Sequence, residues 1–81
     1  MIRFKLAELI AQKQFVEGRR ITVQEVAAGA GLNRVTLSKM LNHRGHVTGT
    51  DVVDKLCAYF QCSVGELMEY VPDEQKGPAA P

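Results

Sequence analysis

Long apolar runs are missing from this chain, which excludes a membrane-spanning protein. No stretch of the 81 residues approaches the ~18 consecutive apolar residues that a helix needs to cross a bilayer. The opening segment is not a secretion signal either, because Glu8 and Gln12 interrupt its apolar pattern. We therefore expect a cytoplasmic protein with one small domain, near the size at which a single core suffices.

Cysteine is scarce and tryptophan is absent. The two cysteines, Cys57 and Cys62, are too few for a disulfide scaffold. Together with His43 and His46 they suggest a zinc site. However, Cys57 falls on a helical apolar stripe that favours a buried free thiol, and the histidines lie in a glycine-interrupted loop. We predict no metal and no cofactor.

The sequence also lacks a catalytic constellation. No serine has a plausible histidine and carboxylate partner, and no glycine-rich loop is suited to holding phosphate. The acidic pairs Asp51/Asp54 and Glu66/Glu69 are typical of helix caps and surface charges. A domain of this size does not easily enclose a substrate pocket. We therefore predict that the protein is not an enzyme.

A strong excess of one charge is absent, but the charges are unevenly distributed. The net charge is +1. Residues 1–46 carry eight Lys or Arg and three acids, a balance of +5, whereas residues 47–81 carry two Lys or Arg and six acids, a balance of −4. This asymmetry indicates that one part of the surface meets an anionic partner.

Helical periodicity dominates what is present, and no clear strand is predicted. Alternation with a period of two never lasts for more than a few residues. The apolar patterns and start and stop signals predict five helices in an all-α domain over residues 1–71, followed by a disordered tail at 72–81. The predicted helices cover about residues 4–15, 23–29, 33–42, 51–60 and 64–70. Gly18 is the expected left-handed stop after the first helix, Thr50 or Asp51 the expected cap of the fourth, and Ser63 and Glu66 the expected capping box of the fifth.

Residues 22–42 form two short predicted helices joined by a tight turn. Thr22 and Glu25 have the spacing of a capping box, Gly29 and Gly31 suit a change of chain direction, and Asn33 is the expected N-cap of the second helix. The cap is followed by hydrogen-bonding and cationic side chains: Arg34, Val35, Thr36, Ser38 and Lys39. A capped helix with such a face is suited to reading a groove of duplex DNA.

These residues carry a family resemblance. Residues 21–42 read I-T-x-x-E-V-A-x-x-A-G-L-N-R-x-T-L-S-x-M-L-N, and residues 51–67 read D-x-x-x-K-L-C-x-Y-F-x-C-S-V-G-E-L. Together they resemble the Cro/C1-type helix-turn-helix domain of the XRE family, which has a fold like that of the lambda and 434 repressors. The resemblance implies a five-helix DNA-binding domain whose helix-turn-helix spans about residues 22–42.

The resemblance also implies which residues meet DNA. Its third helix lies in the major groove, so the predicted base contacts are Arg34, Val35, Ser38 and Lys39. The predicted phosphate contacts are Thr22, Thr36, Asn42, His43, Arg44, His46, Arg19 and Arg20. Histidines beside phosphate, which gain charge near neutral pH, explain the His43 and His46 pair more simply than zinc does.

Interpretations without a DNA-binding role are also compatible with some of these residues. The polar face of the third helix could simply be solvated, although the cap, position and spacing favour a reading role. The connector between the first two helices is longer and more basic than is usual in the family. For Arg19 and Arg20, a solubilising role and a phosphate-binding role are equally compatible with the sequence.

Two functional hypotheses follow. The first is a sequence-specific transcriptional regulator, a repressor in the simplest mechanism, that binds double-stranded DNA as a homodimer. Its expected dimer surface lies at the C-terminal end, around Met68, Tyr70 and Val71. The second is an interaction module of the antitoxin type, whose acidic C-terminal half or tail binds a partner toxin.

Overall fold

The structure is a computed structural model that describes residues 1–72. Five helices and two short strands follow one another, which agrees with the predicted number of helices. In chain order the elements are β1 (Ile2–Phe4), α1 (Leu6–Glu17), α2 (Val23–Ala30), α3 (Arg34–Asn42), α4 (Thr50–Phe60), α5 (Val64–Leu67) and β2 (Met68–Tyr70). Within the described residues, none of the helices has the length and hydropathy that crossing a membrane requires.

Every helix supplies one fully buried side chain to a single core. The five side chains excluded from solvent are Leu6, Val26, Leu37, Leu56 and Leu67. Burying a side chain of this size contributes about 1.5–3 kcal/mol relative to leaving it exposed. Since α2 and α3 each have such a contact, both helices are held against the rest of the domain.

The prediction that no strand is present was wrong. β1 and β2 pair in an antiparallel sheet in which Ile2 lies opposite Tyr70 and Phe4 lies opposite Met68. Each strand has three residues, too few for alternation to stand out in a sequence window. The pairing also joins opposite ends of the described chain, so no local pattern records it.

The sheet also changes the helix limits. The fifth helix was predicted to reach about residue 70 but ends at Leu67, because Met68 is already extended at φ −139° and ψ 156°. The first helix begins at Leu6, later than predicted, since Phe4 belongs to β1. Its predicted stop is confirmed, because Gly18 adopts the left-handed conformation at φ 67°. The predicted tail lies outside the described residues, except for Pro72.

The predicted capping residues of the last two helices had different outcomes. Ser63 and Glu66 form both hydrogen bonds of a capping box, as predicted. The prediction of Thr50 or Asp51 as the N-cap of α4 was wrong, because Gly49 is the N-cap and no side chain caps this helix. Glycine in the extended conformation at Gly49 shifts the helix start by one residue.

Candidate nucleic-acid interface

The helix pair is joined by a turn at Gly31. Gly31 has φ 72°, a left-handed conformation that costs glycine little. The N–H groups of Gly31 and Leu32 both donate to the carbonyl of Ala27, the latter at 2.8 Å. Ala27 is buried and α2 packs against α3. The turn therefore sets the angle at which α3 leaves α2.

Gly29, the other glycine near the turn, has a different role from the one expected. It lies inside α2, and a Cβ atom there would meet the ring of Tyr59 on α4. This ring also packs edge-on against Phe60, with 4.9 Å between centroids, and lies 5.1 Å from the ammonium of Lys13. Gly29 thus permits a close helix approach, and the change of chain direction occurs at Gly31.

Asn33 is the N-cap of α3, as predicted. Its side-chain oxygen accepts a hydrogen bond from the N–H of Val35 at 2.7 Å, and its backbone is extended. An N-cap of this kind is worth about 1 kcal/mol compared with alanine. The cap orders the first turn of α3 and so fixes the positions from which Arg34 and Val35 project.

The surface of α3 is divided into a buried side and a solvent side. Leu37 and Met40 face the core, with 0% and 4% of their surface exposed. At about 100° per residue, five other positions fall within an arc of about 140° on the opposite side. These are Arg34, Val35, Ser38, Lys39 and Asn42. The four predicted base contacts therefore share one face with Asn42.

The cations of this face have no partner among residues 1–72. Arg34 and Lys39 are exposed, and neither forms a hydrogen bond or ion pair with residues 1–72. Basic residues elsewhere do have acidic partners: Arg3 forms ion pairs with Glu8 and Glu69, and Nζ of Lys13 lies 2.7 Å from Oε2 of Glu17. The positive charge on α3 is thus left for an external anion or base edge, and Val35 adds an apolar surface that is 55% exposed.

The N-terminus of α2 has only one of the two hydrogen bonds of a capping box within residues 1–72. The Thr22 hydroxyl accepts from the N–H of Glu25 at 3.1 Å, as predicted. The predicted return contact from Glu25 to the Thr22 backbone was wrong, because Arg19 holds the Glu25 carboxylate with contacts of 2.5 and 3.0 Å. The bidentate geometry of a guanidinium and a carboxylate competes successfully with a single neutral backbone donor.

Arg19 and Arg20 differ in their surroundings. Arg19 contacts both Glu25 and Glu17, and the hydrogen bonds to Glu25 raise the pKa of the Arg19 guanidinium. The same hydrogen bonds lower the pKa of the Glu25 carboxyl. Arg20 is exposed and has no hydrogen bond or ion pair within the described part of the chain. Within residues 1–72, Arg20 is therefore the uncompensated arginine of the pair.

The loop that follows α3 carries further polar groups. His43 is the C-cap and its N–H donates to the carbonyl of Lys39 at 2.8 Å. Both His43 and Arg44 are exposed, whereas His46 is half-buried. Between residues 1 and 72, no three His, Cys, Asp or Glu side chains are grouped closely enough to hold a metal ion.

A comparison with protein families matches residues 5–73 to the Cro/C1-type HTH DNA-binding domain. The chain belongs to this family. The match covers the helix-turn-helix and the junction between α4 and α5, so the resemblance seen in both segments is confirmed. The Cro/C1-type domain of this chain is a DNA-binding domain. Searches of curated proteins and of solved structures gave no match.

In this Cro/C1-type domain the predicted phosphate contacts fall into two groups. Thr22 and the two arginines lie at the start of α2, and Asn42, His43, Arg44 and His46 lie at the end of α3, so that Thr36 alone of the predicted phosphate contacts is outside both groups. Thr36 stands at the margin of the solvent face, half-buried. Val47, which is 88% exposed beside the second group, was not predicted as a surface feature. A lone valine in a loop gives no signal that separates core from surface.

Proposed function

We propose that the protein is a sequence-specific transcriptional regulator that inserts α3 into the major groove of duplex DNA. The observation that carries this proposal is the solvent face of α3. Its cations are unpaired within residues 1–72, while Leu37 and Met40 anchor the opposite side in the core. A rigidly held helix with free donors is what direct base reading requires.

The four predicted base contacts have complementary chemistry. Arg34 can donate two hydrogen bonds to O6 and N7 of guanine, and Val35 can contact a thymine methyl group. Ser38 and Lys39 lie one turn further along α3 and extend the contact to the next base pairs. A good bidentate pair discriminates against a wrong base by about 1–3 kcal/mol.

The phosphate contacts that we propose flank α3 on both sides. At one end are Thr22 and Arg20, where the N-terminus of α2 attracts an anion. Thr36 stands beside the reading face. At the other end are Asn42, the last residue of α3, and the loop residues His43, Arg44 and His46. Direct contact by Arg19 remains a prediction, but its ion pairs with Glu25 and Glu17 favour an indirect role.

We further propose that the regulator works in the cytoplasm as a homodimer and represses by covering a promoter. One small domain offers a limited interface, and two-fold pairing doubles it. The expected C-terminal dimer surface retains one exposed apolar pair, since Tyr70 is 69% exposed and its strand neighbour Ile2 is 41% exposed. Met68 contributes less, because it packs against the core.

A second candidate function is binding of a partner protein, as in an antitoxin. Phe15 and Val16 on α1 favour it, because they are adjacent and 87% and 74% exposed. Neighbouring large apolar side chains in water often mark a protein contact. A small toxin gene beside this one is the observation that would support this function.

Selection of bound sequences from random duplexes tests the first proposal. The dissociation constants of Arg34→Ala and Lys39→Ala are then measured on the selected duplex. We expect each to rise about 5- to 150-fold, which corresponds to about 1–3 kcal/mol per lost base contact. Lys55→Ala is the matched control, since Lys55 is an exposed lysine on α4 outside the proposed interface. If both α3 variants bind as tightly as the wild type, α3 is not the reader.

A further inference from the structure

The two cysteines occupy the two ends of one helix-termination motif. Gln61, just after α4, adopts the left-handed conformation at φ 54°. The N–H of Cys62 donates to the carbonyl of Cys57 at 3.0 Å. This is the six-to-one hydrogen bond of a Schellman motif, whose terminal side chains commonly contact each other. A spacing of five residues thus becomes proximity in space.

The hydrogen bond limits how far apart the cysteines are. A carbonyl oxygen lies about 2.4 Å from its own Cα, and a backbone nitrogen lies about 1.5 Å from its own. Adding the 3.0 Å contact gives a Cα separation of at most about 6.9 Å, and bending of this path shortens it. Disulfides span about 4.4–6.8 Å between Cα atoms, so the pair is within bridging range.

The surroundings suit a dithiol. Both thiols are free, half-buried and packed against the core cluster. Burial, followed by the neighbouring Cys57 thiol, raises the pKa of Cys62. The Glu66 carboxylate also raises the pKa of Cys62, and it is occupied in the capping box with Ser63. No third metal ligand joins the pair among residues 1–72, which favours sulfur chemistry between the two cysteines over metal binding.

We propose that Cys57 and Cys62 are a redox-active dithiol that forms a reversible intramolecular disulfide by exchange with a low-molecular-weight disulfide. One cysteine thiolate attacks the small disulfide, forms a mixed disulfide and releases one small thiolate. The second cysteine thiolate attacks the protein sulfur of that mixed disulfide and releases the other. The two cysteines lose two electrons and two protons in total, and the small disulfide becomes two thiols.

The bridge would join the end of α4 to the residue before the α5 cap. α5 carries the buried Leu67 and leads directly into β2, so this junction supports the small sheet. If the folded chain favours the disulfide, thermodynamic linkage requires the disulfide to stabilise the fold by the same factor. Because the thiolate is the nucleophile, the raised pKa of Cys62 slows exchange by this thiol at neutral pH, and the rate should increase as the pH rises.

The test incubates the reduced full chain with oxidised and reduced glutathione in defined ratios, followed by maleimide trapping and intact mass spectrometry. We expect a monomer that has lost two hydrogen atoms and takes up no maleimide. The controls Cys57→Ser and Cys62→Ser should stop at a mixed disulfide with glutathione. Repeating the equilibrium in denaturant should lower the effective thiol concentration at least about tenfold, equivalent to about 30 mV.

Several outcomes would overturn the proposal. If the wild-type protein stops at a glutathione adduct or forms covalent dimers, its two thiols are too far apart to form the disulfide. If the equilibrium constant for disulfide formation is the same in the folded and the denatured chain, the disulfide forms only because the cysteines are close in sequence. Failure to react at any glutathione ratio at pH 8 excludes the exchange. None of these measurements involves DNA, so the result is independent of the proposed regulatory function.

Discussion

Gly31 and Gly65 differ in backbone conformation, although both have open space around the position of a Cβ atom. Gly31 has φ 72°, where an L-residue is strained, whereas Gly65 lies in α5 without a positive φ. We expect Gly31→Ala to lower the free energy of unfolding by about 1 kcal/mol. Gly65→Ala should leave it unchanged or raise it, because alanine favours helix. Urea unfolding measures both, and equal effects would contradict a strained turn.

Arg19 and Arg20 are adjacent but should respond differently to salt. Each cation that contacts phosphate contributes about 0.9 to the slope of log affinity against log salt. We expect Arg20→Gln to reduce this slope by about 0.9 and Arg19→Gln to leave it nearly unchanged, because Arg19 is held by Glu25. Arg19→Gln is compared with the wild type under conditions in which both proteins are folded to the same fraction, so that a loss of stability is not mistaken for a change in the salt dependence.

Glu25→Gln provides the reciprocal measurement. Removing its charge releases Arg19 from its bidentate partner. The guanidinium, then held only by Glu17, should add to the phosphate contacts and steepen the dependence of affinity on salt. A reduced slope for Arg19→Gln in the wild-type background would show instead that Arg19 contacts phosphate directly.

At the scale of elements, two apolar residues of β1 differ in how deeply they are buried. Phe4 packs against the core cluster, whereas Ile2 is 41% exposed at the end of the sheet. Since Phe4 is only partly buried, we expect Phe4→Ala to cost about 2–3 kcal/mol, below the range for a fully buried phenylalanine. Ile2→Ala should cost less than about 1 kcal/mol. Equal losses in denaturant unfolding would mean that the strand does not dock as described.

The same two elements show why sequence patterns missed the sheet. β1 and β2 come from opposite ends of the described chain and pair with each other, and Arg3 adds ion pairs to Glu8 and Glu69. Helix patterns are local, so α2, α3 and the Ser63 cap could be predicted. A three-residue strand becomes recognisable only beside its distant partner.

At the scale of the whole molecule, two exposed apolar surfaces of residues 1–72 are candidates for the contact of the proposed homodimer. One is Tyr70 at the sheet end, and the other is Phe15 with Val16 on α1. We expect Tyr70→Lys to convert the dimer to a monomer in sedimentation equilibrium, and Phe15→Lys to leave it dimeric. The opposite result would move the dimer surface to α1. A wild-type protein that is monomeric at all concentrations would refute the homodimer.

The charge asymmetry of the sequence also takes its meaning at this scale. Several basic residues of the N-terminal half are neutralised locally, as Arg19 is by Glu25 and Lys13 is by Glu17. Those without an ion-pair partner in residues 1–72 include Arg34 and Lys39 on α3. Charge counting predicted an anionic partner, whereas folding selected which cations remain free to meet it.

The sequence by itself determined the helix-turn-helix, the caps at Thr22, Asn33 and Ser63, and the family, because each depends on residues close together in the chain. Only the tertiary structure decided the sheet, the partner of Glu25 and the close approach at Gly29. These depend on contacts between residues that local spacing does not relate. The division between Arg19, which is paired, and Arg20, which has no partner in residues 1–72, has the same cause, since identical side chains differ only in what the fold places beside them.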